Sequence, residues 1–282
     1  MSTSALPRES AAAAIARLTE RYRVPDPQPP AEWNATLDRL LAHRSVRAYL
    51  PDPLPAGTVE LLVAAAQSAS SSSNLQAWSV VAVEDPERKA RLAVLAGNQK
   101  HIVQAPLLLV WLVDLHRLDG VGQARSIPTA GLKYLEGFVL GVVDAALAAQ
   151  NAVVALESLG LGSVYIGGMR NKPAEVAAEL GLPPHVFALF GLVVGRPDPA
   201  KPASVKPRLP QEAVLFREQY GAAGTAEAIA AYDERLREFQ REQGMPERGW
   251  TQQAAHRVRG PEALNGRDVL HGVLRSLGFG LE

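Results

Sequence analysis

The sequence predicts an α+β fold in one continuous core, and three observations carry that reading. "PLLLVWLVD", residues 106–114, is an unbroken apolar run of the kind found in a central strand covered on both faces. A long helical stretch from about Gly131 to Leu159 stops at Gly160, a natural residue for the position just past a helix end. "SVYIGG" and "VFALFGLVVGRP" read as further strands, separated by a helix that opens at Pro173 and closes at Gly181. Strands and long helices thus interleave along the chain.

The remaining elements follow in order. Residues 1–30 combine alanine, charge and the cluster "VPDPQPP", and read as a loosely attached N-terminal extension with a short helix. "WNATLDRLLAHR" has apolar residues at helical spacing ahead of a turn at "HRSVRAY". Thr58 is a good N-cap for "VELLVAAAQSA", whose apolar residues cover much of the surface, as in a well-buried helix. "WSVVAVE" is a strand, and Asp85-Pro86 provides an N-cap and first-turn proline for a helix through Ala96. The polar, glycine-containing segment around Asp119 to Ser126 reads as a loop or excursion. Beyond Pro210 a polar tail holds "AEAIAAYDERLREFQREQG" and a last helix near "DVLHGVLRSLG". The expected division is an extension over 1–30, a core over 31–210 and a C-terminal extension over 211–282.

Composition removes several function classes. Lysine plus arginine equals aspartate plus glutamate at 29 each, so no global field draws the chain to nucleic acid or an anionic membrane. The absence of cysteine excludes disulfides, thiolate nucleophiles, iron–sulfur clusters and cysteine zinc sites. The 6 histidines lack metal-ligand spacing, and there is no G-x-S-x-G, H-E-x-x-H, G-x-G-x-x-G or Walker motif. Arg8, Glu9 and Arg17 interrupt the N-terminal alanines, so no signal peptide is expected and the cytoplasm is the expected compartment. The most apolar stretch, Phe138 to Leu156, contains Asp144, Gln150 and Asn151 and reads as a buried helix rather than a membrane span.

Four segments combine basic, hydroxyl or glycine residues at the ends of regular elements. In "HRSVR", Arg44 and Arg47 lie near a helix end, where one of them holds a phosphate by a fork of donors, or both complement the helix dipole or stay solvated. "SASSSSNLQAW", Ser68 to Trp78, has the composition of a flexible linker, yet it is too short between a strong helix and a strong strand to separate domains. In "VYIGGMRN" two glycines at a strand exit allow either a tight turn or close backbone approach to a flat ligand. In "KPRLP", Lys206 and Arg208 flank a proline and either converge on a phosphate or form an exposed basic linker.

Taken in order, "HRSVR", "ASSSSNLQ", "GNQKH", "VDAALAAQNAVVALESLGLGSVYIGGMRN", "LFGLVVGRPD" and "KPRLP" resemble the FMN-dependent nitroreductase superfamily and its NfsA/Frp-like NADPH-dependent group. The likeness runs from about Leu37 to Trp250. It implies a mostly antiparallel central sheet flanked by helices, and a homodimer with each FMN between subunits and extended C-terminal segments wrapping the partner. His43, Arg44, Ser45, Arg47, Gln76, Gln99, Tyr165, Ile166, Gly167 and Gly168 are implied FMN contacts, with Lys206 and Arg208 on the phosphate. Ser71, Ser72 and Ser73 are implied contacts to the other subunit's FMN, which would order them. The physics is compatible with this. A phosphate dianion takes charge-assisted bonds from Arg44, Lys206 and Arg208, and a cation such as Arg47 near N1 and O2 stabilises reduced flavin.

The resemblance also implies ping-pong hydride transfer from NADPH to nitroaromatics, quinones or free flavin, with the chemistry on FMN and no catalytic side chain. Alternatives are a flavin reductase supplying a partner monooxygenase and a flavin-binding protein without NAD(P)H turnover. Arg47, Arg241 and Arg248 are the implied NADPH contacts. Where this group commonly carries a basic residue before the tail-loop glycine, this chain has Gln243, which leaves Arg241 and Arg248 for the 2′-phosphate and makes NADPH the expected donor ahead of NADH. A second departure, "NLQAW" at 74–78, puts bulk where the acceptor is selected.

Overall fold

The structure is a computed structural model that describes residues 8–282; the part of the expected extension over 1–7 lies outside the described residues. In chain order the elements are α1 (Arg8–Tyr22), α2 (Ala35–Leu41), α3 (Thr58–Gln67), β1 (Trp78–Val83), α4 (Pro86–Leu95), α5 (Lys100–Gln104), β2 (Leu107–Asp114) and α6 (His116–Arg125). There follow α7 (Leu135–Ser158), β3 (Gly162–Ile166), α8 (Pro173–Leu180), β4 (Val186–Gly195), α9 (Thr225–Glu242), α10 (Gly249–Arg257) and α11 (Leu270–Ser276). The described residues form two compact units, Ser45–Ala203 with Leu264–Glu282, and 8–44 with Ser204–Ala263. These bounds do not follow the expected divisions at 30 and 210, because both units are closed by segments far apart in sequence.

The larger unit is built on a sheet of order β1-β2-β4-β3 in which every strand pairing is antiparallel. Every residue of β2 is buried, as its apolar run predicts. Alternation sends Leu108, Val110 and Leu112 to one face, where they meet Leu92, Ile102, Met169 and Val176. Leu107, Leu109 and Trp111 go to the other, against Leu62 and Ala66 of α3 and Ala148, Ala152 and Leu156 of α7. Small residues let α7 lie close to the sheet: a Cβ on Gly141 would stand 2.6 Å from Val113 Cγ1 and 3.1 Å from the Ala77 carbonyl oxygen. Asn151 joins α7 to α3 by donating to the Ala65 carbonyl at 3.2 Å. α7 is long and apolar enough to cross a membrane by length and composition. Here its residues Ala145, Ala149 and Val153 are fully buried in the unit's own core, as the sequence predicts.

Several local expectations are corrected. Thr58 is the first helical residue of α3 rather than its cap: Gly57 caps the helix in the left-handed region, and the Thr58 hydroxyl donates to the Pro55 carbonyl at 2.6 Å. α3 buries one side only, around Leu62 and Ala66, while Leu61 is exposed. The segment expected as a loop at 119–126 is mostly the helix α6. Its start is tied by Asp114, which accepts from Arg117 N at 3.2 Å, and Gly122 is required because a Cβ there would stand 2.9 Å from the Ile127 carbonyl oxygen. Packing has overridden weak helix propensity. α7 begins at Leu135, after a 3₁₀ turn over Ala130–Lys133, and α10 was not anticipated.

In the smaller unit α1 is a firm element, not a loose extension. Arg17 pairs with Asp38 of α2 at 2.9 Å, and Arg23 holds Glu242 of α9 with Nη1 donating at 2.7 Å. Tyr232, Leu236 and Phe239 of α9 form its apolar cluster with Leu209 and Trp250.

The contact between α7 and β2 yields a test. Gly141→Val forces Cβ and two methyls into Val113 and is expected to destabilise by ~1–3 kcal/mol, a loss of several degrees in Tm by thermal denaturation. Gly131→Ala, with nothing within 4 Å of the added carbon, is expected to leave Tm within about a degree or two.

Candidate functional site

In the larger unit the chain after Arg44 is laid along the sheet edge. Ser45 makes a parallel bridge to Ser163 of β3, Val46 N donates to the Ser163 carbonyl at 2.9 Å, and Tyr49 makes an antiparallel bridge to Pro197. Val46 and Tyr49 turn inward while Ser45 and Arg47 stay exposed. Gly162 makes room for this, since a Cβ there would stand 2.6 Å from Val46 Cγ2. The sheet therefore presents Ser45 and Arg47 outward by simple alternation.

β3 exits into a 3₁₀ turn over Gly167–Arg170. Tyr165 is the outward residue of the strand, its ring edge-on to Phe190 at 5.2 Å, while Ile166 is buried. The two glycines have different reasons. A Cβ on Gly168 would stand 2.4 Å from the Ala96 carbonyl oxygen and 2.8 Å from Gln99 Nε2, so the protein's own packing demands glycine there. A Cβ on Gly167 would meet only ordinary contacts, at 3.5 Å from Arg170 and 3.6 Å from Arg267. Gln99 is held beneath Gly168 by its bond to the Ala96 carbonyl at 2.9 Å. His101 Nε2 is buried without a hydrogen-bond partner. Burial first, and then the charge of Arg47, hold the His101 imidazole below its ordinary pKa.

Sequence reasoning missed Arg267. It donates to Asn171 Oδ1 at 2.9 Å and brings a second guanidinium beside Gly167. Nothing local marks it, because it comes from a tail segment far from the glycine pair in sequence.

The serine run is held as a loop by bonds within this chain. Asp144, in the middle of α7 and 1% exposed, accepts from Ser71 Oγ at 2.8 Å, Ser72 N at 3.3 Å and Ala77 N at 3.0 Å. Ser71 is thereby committed to the protein. Ser72, Ser73 and Gln76 remain exposed. The sequence signal for this anchor was the lone carboxylate in an otherwise apolar helix.

In the smaller unit one buried side chain organises the basic residues. Arg21, 7% exposed, donates to the carbonyls of Leu41 at 2.7 Å, His43 at 2.6 Å and Lys206 at 3.0 Å. Arg208 N returns a bond to the Arg21 carbonyl at 3.1 Å. The backbones bearing His43, Arg44, Lys206 and Arg208 are thus gathered on one guanidinium. Val205 and Pro207 are buried while Lys206 and Arg208 are exposed, so the latter two share the outer face of an extended segment. The Tyr232 hydroxyl fixes the intervening Pro207 carbonyl at 3.0 Å. Among the described residues neither Arg44 nor Arg208 is paired with a carboxylate; each guanidinium reaches only a nearby backbone carbonyl, Ala42 at 3.2 Å and Lys206 at 3.4 Å.

The tail loop after α9 is braced from within. Gln240 Oε1 accepts from Arg248 N at 2.9 Å, and Asp233 accepts from Trp250 N at 2.7 Å and from Thr251 N at 2.8 Å. Burial pushes the Asp233 carboxyl up, but bonds from Thr251 and Trp250 and the charge of Arg237 outweigh it and hold the group below its ordinary value. Arg241 is engaged by Glu247 through two bonds, at 3.1 and 2.9 Å, and Gln243 accepts from Ser204 Oγ at 2.9 Å. The two arginines singled out in this loop therefore differ: Arg241 has its charge compensated, whereas Arg248 has an exposed side chain and no ion-pair partner among the described residues.

Each unit carries donor groups of its own. In the smaller unit Arg44 and Arg208 offer guanidinium charge of the kind a phosphate takes; in the larger unit the turn over Gly167–Arg170, with Gln99 beside Gly168, offers polar groups of the kind a heteroaromatic ring system takes up. Each of these two sets has the chemistry that a part of FMN requires, the first its phosphate and the second its ring system.

Comparison with known proteins agrees. The nitroreductase family profile matches residues 40–196, and the profile of the nitroreductase family's C-terminal domain matches residues 206–282. An FMN reductase (NADPH) from Bacillus subtilis is 39% identical over 225 residues, covering 78% of this chain and 90% of that protein. An oxygen-insensitive NADPH nitroreductase from Salmonella typhimurium is 42% identical over 204 residues, covering 72% and 82%. The solved structure of NADPH:FMN oxidoreductase from Vibrio harveyi, complexed with NAD⁺, superposes with a TM-score of 0.79 at 34% identity, over 88% of this chain and 100% of that one. This chain belongs to the nitroreductase family.

Proposed function

We propose that this protein is an FMN-dependent NADPH oxidoreductase that reduces nitroaromatics, quinones or free flavin in a ping-pong order. The observation that carries the reading is the set of exposed cations Arg44, Lys206 and Arg208, held on backbone gathered by Arg21, in a chain whose relatives include an FMN reductase and an NADPH nitroreductase. When bound, FMN supplies the hydride chemistry between donor and acceptor.

The chain's own residues bind and orient. Arg44, Lys206 and Arg208 hold the phosphate, with His43 and Ser45 beside it. Backbone N–H groups at Gly167 and Gly168, with Gln99, Tyr165 and Ile166, hold the ring system. Arg47 stabilises negative charge on its pyrimidine side. Ser72 and Ser73 contribute across a homodimer, Gln76 contacts FMN as well, and the C-terminal extension wraps the partner. Arg248 takes the 2′-phosphate of NADPH, and Arg241 assists only by leaving Glu247. No side chain is assigned a proton transfer. We place the enzyme in the cytoplasm.

Support for the homodimer comes from α7, whose Leu135, Val139, Val143 and Leu147 are exposed at a spacing of four, an apolar stripe on one helix face. In sedimentation or light scattering, Val143→Glu is expected to shift the protein to monomer; an unchanged dimer would place the interface elsewhere.

Two further outcomes are expected. Arg208→Ala raises the FMN Kd by roughly tenfold or more, the size of a lost charge-assisted bond, read by flavin fluorescence. Arg248→Ala leaves FMN bound and instead raises the KM for NADPH with little change for NADH, in steady-state kinetics. A second reading, a flavin reductase that hands reduced flavin to a monooxygenase, draws on the relative from Vibrio harveyi described as an NADPH-flavin oxidoreductase. An acceptor panel separates the two, since free FMN with the highest kcat/KM favours the second.

A further inference from the structure

We propose that Asp144 and Arg117 are positioning residues that hold residues 71–79 in the flavin-contacting form before any ligand arrives. This rests on the assignment of Ser72 and Ser73 to FMN made above.

The loop is gripped from two sides. On the inner side the Asp144 carboxylate takes Ser71 Oγ and Ala77 N on one oxygen and Ser72 N on the other, and Ser71 Oγ itself accepts from Gln76 N at 2.8 Å. Both ends of the bulge at 72–76 are thereby closed onto one buried charge. On the outer side Arg117 of α6 donates from Nη2 to the carbonyls of Gln76 at 2.8 Å and Trp78 at 2.7 Å, and from Nη1 to Ser79 Oγ at 3.3 Å. Asp114 stands 3.6 Å behind that guanidinium.

Between the two grips the backbone is one the sequence would not adopt unaided. Ser73 (φ 49°), Asn74 (φ 54°) and Gln76 (φ 49°) all lie in the left-handed region, and none is glycine. Such residues persist there only when their surroundings over-determine them. A carboxylate as buried as Asp144 is tolerated only with its hydrogen bonds met, so its three loop donors are held tightly. The result leaves Ser72 and Ser73 exposed on a loop whose shape is already set. If the loop sampled many shapes, apparent affinity would fall by the fraction of time spent in the competent one.

The test uses the full-length protein in FMN titrations followed by flavin fluorescence, with apoprotein Tm measured alongside. Ser71→Ala and Arg117→Gln are each expected to raise the FMN Kd roughly 5- to 20-fold, with apoprotein Tm lowered by no more than a few degrees. Asp144→Asn is expected to exceed both. Ser71→Thr, which keeps the hydroxyl, is expected to restore the wild-type Kd. Wild-type FMN affinity in both Ser71→Ala and Arg117→Gln overturns the proposal, because the contacts then serve only the fold; these two variants decide the matter where Asp144→Asn fails to fold. Failure of the wild-type protein itself to bind FMN overturns the functional reading, and this inference with it.

Discussion

β2 is apolar along its whole length and is shielded from water on both faces, and the larger unit is arranged around keeping it so. One face takes α4, α5 and α8, which carry ordinary large side chains. The other takes α7, whose small residues bring the helix backbone close to the strand. That close approach has a functional consequence. It puts the middle of α7 beside the start of β1, where Asp144 reaches the serine loop. A long apolar helix then serves both as a wall of the core and as the post to which a candidate ligand loop is tied.

The smaller unit solves a comparable problem with the opposite chemistry. Its candidate phosphate residues sit on irregular backbone, where no sheet ladder or helix sets the direction of a side chain. Arg21 takes that role by satisfying three carbonyls from two distant segments. A guanidinium suits the task because its donors form a rigid fork and because it stays charged under all relevant conditions. Burying it is tolerable because its donors are used. Removing one planar group would leave several carbonyls unanswered at once.

The tail loop shows how charge compensation sorts residues that composition treats alike. Arg241 and Arg248 have the same side chain and lie a few residues apart. Glu247 takes up the first in a two-point contact, whereas the second is left with an exposed side chain. A ligand phosphate meets a competitor at one and not at the other. The brace from Gln240 and Asp233 sets the backbone on which that difference is displayed.

Strands β1 to β4, the helix after Asp85-Pro86 and the end of α7 at Gly160 were all legible in the chain, because apolar periodicity, caps and glycines act over a few residues. The ordered motifs were equally legible as family features, and they identified the residue types that a flavin phosphate and ring would need. The sequence by itself therefore determined the fold class and the chemical inventory of the candidate site. Tertiary structure decided how that inventory is used. It made 116–125 a helix through packing around Gly122, withdrew Ser71 into a bond with Asp144, gave Gly168 a packing reason, brought Arg267 to Gly167 and separated Arg241 from Arg248. The contacts of Ser71, Gly168 and Arg267 depend on partners far away in the chain, and local spacing carries no information about which distant groups will meet a given side chain once the core has closed.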